Sequence, residues 1–335
     1  MVDYENEVAV VDDCSGDAIP DSVLTSTRPL HLKGLIADWP AVSAGRETAV
    51  EAAKYIRQFD SGAPLTAYVG GPEIEGRIFY NEDFTGFNFE RTRQSLEQVL
   101  NNLFSPSAQG GNTYYVGSTL IDHWLPGFRE DNDLNLAGRE HLASIWLGNQ
   151  SRIAPHYDFP NNIACAVAGR RRFTLFPPDQ AENLYVGPLE FTPSGQPISL
   201  VDVVNPDYQT HPKYRVAEAA ALVVDLEPGD AVFIPSMWWH HVEALDAFNV
   251  LVNYWWRSTP AWQGSPLNAL HHAILSLREL PPEQKQVWRD IFEYYVFSDD
   301  EHAFDHIPEQ ARGVLSGLDE VSAAALRAQL VKFLK

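Results

Sequence analysis

The spacing of apolar residues changes character twice along the chain. Residues 1–30 are mostly polar and acidic, with turn residues at Ser15-Gly16-Asp17. Pro29 to Ile36 then reads as a short strand running into Asp38-Trp39-Pro40. Ala49 to Phe59 and Ser95 to Leu103 carry apolar residues at helical spacing, with Gly- and Pro-punctuated, strand-like segments between them. From about residue 113 the pattern becomes β. Thr113 to Gly117 and Ser144 to Gly148 are strand candidates, and Phe248 to Trp256 is another. Ile163 to Val167 followed by Arg171 to Phe176 reads as a hairpin that stops at Pro177-Pro178. Ala220 to Leu226, the turn Glu227-Pro228-Gly229-Asp230 and Ala231 to Ile234 read as a second. Several short strands with turn signals between them predict a sandwich or barrel rather than alternating strands and helices.

The last seventy or so residues return to helical spacing. Ser265-Pro266 is an N-cap followed by Pro at the first helical position, and Leu267, Leu270, Ile274 and Leu277 follow. A second helix after Pro281-Pro282 carries Val287, Ile291 and Tyr294 or Tyr295, and a third spans Asp319 to Leu334. The resulting organisation is an N-terminal mixed segment (1–112) packing on a β core (113–260), followed by a helical module (261–335). The module is expected either to pack on the barrel or, because three amphipathic helices offer more apolar surface than one barrel flank covers, to pair with a second copy in a homodimer.

Composition narrows the function. The 335 residues are 45% hydrophobic and 12% aromatic, with nine Trp, enough for a sizeable core. Twenty-four basic against 45 acidic residues give a net charge of −21, which argues against nucleic acid or an anionic membrane as partner. Two cysteines, Cys14 and Cys165, exclude a disulfide scaffold. The acidic start Met1 to Glu7 lacks the features of a signal peptide, and no apolar run approaches a membrane span, so a cytoplasmic protein is expected.

Chemistry concentrates in two stretches. In Ala154-Pro155-His156-Tyr157-Asp158, strand alternation places His156 and Asp158 on one face, where each can give one ligand to a divalent metal. Far along the chain, an apolar strand runs into Trp238-Trp239-His240-His241-Val242. Two His and one carboxylate, with other coordination positions open, form the facial triad of non-haem iron oxygenases. His240 shares its face with Val242, whereas His241 shares its face with Glu243. The apolar neighbour suits an interior position, so His240 is the expected third ligand. In Gly169 to Phe176, Arg171 alternates onto the apolar face of Phe173 and Leu175. A cation placed there calls for an anion, and a guanidinium matches a carboxylate.

These stretches, together with Arg172-Phe173-Thr174-Leu175-Phe176-Pro177-Pro178-Asp179-Gln180 and Asn205-Pro206-Asp207-Tyr208, resemble the cupin-fold JmjC-type hydroxylases, which are Fe(II)- and 2-oxoglutarate-dependent oxygenases. The likeness is dense from about 145 to 256, and within the family it is nearest to the asparaginyl hydroxylase of the hypoxia-inducible factor. The resemblance implies a mainly β chain, a double-stranded β-helix (cupin or jelly-roll barrel) with flanking helices. It implies His156, Asp158 and His240 as iron ligands, and Tyr115 as a hydrogen-bond donor to 2-oxoglutarate. It also implies Asn162 and Asn253 near the iron and co-substrate, Trp255 closing the pocket, and dimerisation through C-terminal helices. Two positions depart from the pattern. Arg171 stands for the usual lysine, and Ile153 for a threonine that helps hold the same carboxylate.

The expected function is hydroxylation of a C–H bond in a peptide side chain or a small molecule. A non-catalytic metal-binding cupin gripping an anionic ligand through Arg171 is the alternative from another class, and a cupin isomerase or 2-oxoglutarate-independent dioxygenase is a third.

Overall fold

Among the described residues, fourteen short strands supply the frame that holds the site. In chain order they are β1 (Ala9–Val11), β2 (Leu30–Leu32), β3 (Leu65–Gly70), β4 (Arg77–Ile78), β5 (Glu90–Gln94), β6 (Thr113–Leu120) and β7 (His141–Gly148). There follow β8 (Ser151–Tyr157), β9 (Asn161–Ala168), β10 (Arg171–Phe176), β11 (Leu222–Leu226), β12 (Ala231–Ile234), β13 (Trp239–Ala244) and β14 (Asn249–Trp256). They come from a computed structural model, which describes residues 7–193 and 195–334. The sequence reading of Met1 to Glu7 therefore falls, but for Glu7, outside the described residues.

The strands form two sheets. One has nine strands in the order β1-β2-β12-β9-β14-β7-β6-β3-β5, the other five in the order β11-β10-β13-β8-β4. Ala164 and Ala166 of β9, Val232 and Ile234 of β12 and Leu251 of β14 form one core cluster with Phe173 and Leu175 of β10 and Val242 of β13. The alternate residues Ile163, Cys165, Val167, Val250 and Val252 belong to another, with Val42, Ile56 and Leu100 from the helices Pro40–Glu47, Ala49–Arg57 and Leu96–Leu103. β9 is buried along its whole length for this reason, and its sequence reads as a continuous apolar run once Asn161 and Asn162 are passed. Local signals fix the helix starts. The Thr48 hydroxyl caps Ala49–Arg57 by accepting from Glu51 N–H, and Ser95 and Gln98 close a capping box on Leu96–Leu103.

The mainly β barrel expected from the resemblance is corrected here. About 31% of the chain is helix and 27% strand, and the sheets are open, neither curled nor closed on each other. The segment before residue 113 supplies the reason. It adds β3 and β5 to one end of the larger sheet and β1 and β2 to the other, so the flanks that barrel closure would pair are taken by local strands. The terminal strand β5 alternates charge through Glu90, Arg91 and Arg93 and is mostly exposed, which suits an unpaired edge.

The chain divides into two compact units between Ser258 and Thr259. The second is built on the helices Pro266–Leu277, Pro282–Phe292 and Glu320–Phe333, capped by Ser265 and Asp319 at the first and third. Among its described residues only Ala323 is buried, while Trp288, Leu330 and Phe333 are exposed. Among the described residues, no helix is long and apolar enough to cross a membrane.

Candidate metal centre

Antiparallel pairing of β8 and β13 sets His156 directly opposite His240, with ring centroids 4.2 Å apart. Asp158 follows one residue after the end of β8 and returns its carboxylate to the same face, Oδ2 lying 3.7 Å from His240 Nε2. One ligand atom from each of the three lies within 4.8 Å of the others. Both imidazoles are held in the same tautomer. His156 Nδ1 sits 2.9 Å from the Ala154 carbonyl, and His240 Nδ1 sits 3.0 Å from the Trp238 carbonyl. A carbonyl only accepts, so each Nδ1 carries a proton and Nε2 is the nitrogen left to face the cluster. Burial, and then the neighbouring His156, lower the His240 pKa, which favours its neutral ring. Two imidazoles and a carboxylate with outer-ring hydrogen bonds in place form a donor set for a divalent cation.

His241 takes no part in this cluster. The register of β13 against β8 shifts between His240 and Val242, and His241 pairs laterally with Thr174 of β10. Its nearest carboxylate is Glu243, 3.7 Å away, and both ring nitrogens are buried without a hydrogen-bond partner.

The three ligand candidates open into a cavity of about 320 Å³, which also holds the other sequence-derived candidates Tyr115, Asn162, Arg171, Asn253 and Trp255. Arg171, the first residue of β10, is 4% exposed, and its Nε has no hydrogen-bond partner. Among the described residues no carboxylate forms an ion pair with it. Burial lowers its pKa to about 10, with Tyr115 opposing the shift. Burial likewise raises the Tyr115 phenol, against the pull of Arg171. Arg170 and Arg172 on either side instead pair with Asp246 and Asp225. Ile153 lines the same cavity and supplies no hydroxyl.

Asp158 is held from two sides. Trp255 Nε1–H donates to its Oδ2 at 2.9 Å, and Asn162 Nδ2–H donates to the same oxygen at 3.3 Å. Asn253 donates to the Asn162 carbonyl oxygen at 3.3 Å and accepts from Trp146 Nε1–H at 2.6 Å. Trp146, Ser118 and Gln196 also line the cavity and were not among the sequence candidates. The alternation of Ser144 and Trp146 with Ile145 and Leu147 in β7 held a signal for Trp146, because it sets the indole opposite the aliphatic face. Gln196 lies in an irregular segment with no period to read.

Comparison with known proteins agrees with this arrangement. The chain is 30% identical over 244 residues to HSPB1-associated protein 1 of Rattus norvegicus, which covers 70% of this chain and 49% of that one. It is 36% identical over 255 residues to HSPB1-associated protein 1 of Homo sapiens, covering 70% and 48%. It is 29% identical over 238 residues to Jumonji C domain-containing protein 5 of Drosophila melanogaster, covering 68% and 54%. The chain thus spans about half the length of these relatives. The similarities support a cupin/JmjC-like fold, and they give no tie to the narrower group of the hypoxia-inducible factor asparaginyl hydroxylase. Residues 17–261 match the cupin-like domain, and the chain belongs to that family.

Proposed function

We propose that the chain is an Fe(II)- and 2-oxoglutarate-dependent oxygenase that hydroxylates a C–H bond of a peptide side chain or a small molecule. The observation that carries this reading is a buried guanidinium without an ion-pair partner sharing one cavity with a His-Asp-His cluster. Burial of a lone cation is costly unless an anion meets it. A 2-oxo dicarboxylate meets both requirements, with a chelating end for the metal and a distal carboxylate for Arg171.

In this reading His156, Asp158 and His240 hold the iron, and Arg171 with the Tyr115 hydroxyl grips the distal carboxylate. When bound, Fe(II) with O₂ and 2-oxoglutarate supplies the oxidising power for hydroxylation, one oxygen atom entering the substrate and the other entering succinate as CO₂ leaves. The chain's own part is to orient and to shield. Asn162 and Trp255 fix the Asp158 carboxylate by donating to it. Trp146 and Trp255, whose rings meet edge-on at 6.0 Å, wall the cavity and limit water. The net charge of −21 favours a basic protein among peptide substrates. The apolar helices of residues 261–335 belong in this reading to a homodimer contact.

Incubating the protein with Fe(II), 2-oxoglutarate, O₂ and candidate peptides tests the proposal. Succinate formation with a substrate mass gain of one oxygen supports it. Metal and anion binding without succinate would instead favour the non-catalytic cupin, a reading to which Ile153 lends weight because it leaves the anion one hydroxyl short.

A further inference from the structure

Three hydrogen bonds connect Trp146 to the metal cluster, and their direction is fixed by chemistry. An indole N–H donates and cannot accept. Asn253 must therefore turn its carbonyl oxygen to Trp146, at 2.6 Å, and its NH₂ to Asn162. Asn162 in turn presents its oxygen to Asn253 and its NH₂ to Asp158 Oδ2, each link being 3.3 Å. A flipped Asn162 would set its oxygen against a carboxylate oxygen and its NH₂ against that of Asn253, so the donor-only indole and the acceptor-only carboxylate hold the two amides in one orientation from the two ends. The chain crosses three neighbouring strands, β7, β14 and β9, so its members are held by the sheet. Asn162 and Asn253 are 5% and 2% exposed, and water cannot readily replace their partners.

We propose that Trp146 is a positioning residue for the metal site: its donor-only indole polarises the Asn253–Asn162 chain, so that an N–H always faces Asp158. The inference rests on the metal reading above and adds a residue outside the metal cluster. Trp255 is the second, independent donor to the same carboxylate oxygen, and Trp146 acts on it from a distance through two amides.

The test uses Trp146→Phe, which keeps an aromatic ring and removes the N–H, in the full chain. Mn(II) affinity, followed by electron paramagnetic resonance, is expected to fall severalfold, less than the about 10–100-fold that loss of a direct outer partner of a metal ligand costs. Asn253→Leu cuts the same chain, so the double variant is expected to bind no more weakly than the weaker single variant. In the metal-free protein, side-chain amide resonances of both Asn162 and Asn253 are expected to shift in Trp146→Phe, and the Asn162 shift is expected to vanish when Trp146→Phe is made in the Asn253→Leu background, where a disturbance passed through the Trp255 ring contact would persist. Unchanged Mn(II) affinity, fully additive losses, or an unmoved Asn162 resonance each overturn the proposal while leaving the metal site standing. A wild-type chain that binds no Mn(II) overturns the metal reading itself, and this inference with it. Should Trp146→Phe fold poorly, the Asn253→Leu affinity and the Asn162 resonance in that variant decide by the same criteria.

Discussion

Replacing Arg171 with methionine should make the metal-free protein more stable and its anion binding worse. Methionine fills much of the same volume without charge. The guanidinium is 4% exposed, has no ionic partner among the described residues, and leaves Nε without a hydrogen bond. Its pKa falls from 12.5 to about 10, with burial as the leading cause. At ~1.4 kcal/mol per unit, this corresponds to about 3 kcal/mol of penalty on the charged form. The sign follows from the depressed value of a cation. The penalty is fully present below the folded-state pKa and fades as pH rises through it toward the unfolded value, so it acts at pH 7. Lost packing of the side-chain stem offsets part of the gain, leaving roughly 1–2 kcal/mol, or about 2–8 °C in melting temperature for a unit of this size. The opposite sign applies to the ligand. A hydrogen bond to a charged group is worth ~1.5–3 kcal/mol, so the dissociation constant for 2-oxoglutarate should rise at least about tenfold. Thermal denaturation without metal, and calorimetric titration of 2-oxoglutarate into the Mn(II)-loaded protein, measure the two effects. A variant that is less stable and binds 2-oxoglutarate as before would refute the argument on both counts.

His156→Ala, Asp158→Ala and His240→Ala should each abolish tight Mn(II) binding, whereas His241→Ala should largely spare it, as read by electron paramagnetic resonance. Light scattering on the full chain should give a dimer mass, and Leu330→Glu with Phe333→Glu should give a monomer; a monomeric wild type would remove the helical contact from the account. Burial raises the Asp230 pKa, but His31, 3.4 Å away, and the Gly34 and Glu227 N–H groups more than offset it and lower it. Its stabilisation is thus present above the unfolded carboxylate range and lost as pH falls through the lower folded value, so Asp230→Asn should cost about 1–3 kcal/mol at pH 7 and flatten the acid limb of urea-denaturation stability.

Alternation along two strands points to residues that the structure brings together. It set His156 with Asp158 and chose His240 over His241, because period 2 survives in short, half-polar strands. The same alternation set Arg171 with Phe173, which share the cavity. Helix starts were legible where capping residues stand, as at Ser95, Ser265 and Asp319. Sheet closure was not. Periodicity tells which face of a strand is buried, and it says nothing of which strand lies at its edge. Glu90–Gln94 carries no apolar alternation at all, yet it ends the larger sheet and helps leave it open. Trp146 is not legible as a site residue in the sequence because a tryptophan in a strand reads as packing, and its hydrogen bond to Asn253 depends on a strand over 100 residues away.

The central claim is that one cavity binds Fe(II) and a 2-oxo acid together. Anaerobic absorption spectroscopy addresses it without a known substrate, because an Fe(II)–2-oxo acid chelate has a visible charge-transfer band that neither component shows alone. The account predicts this band in the wild type with Fe(II) and 2-oxoglutarate, its loss in Asp158→Ala, and a higher 2-oxoglutarate requirement in Arg171→Ala. A wild-type protein that binds Fe(II) yet stays colourless at saturating 2-oxoglutarate would contradict it.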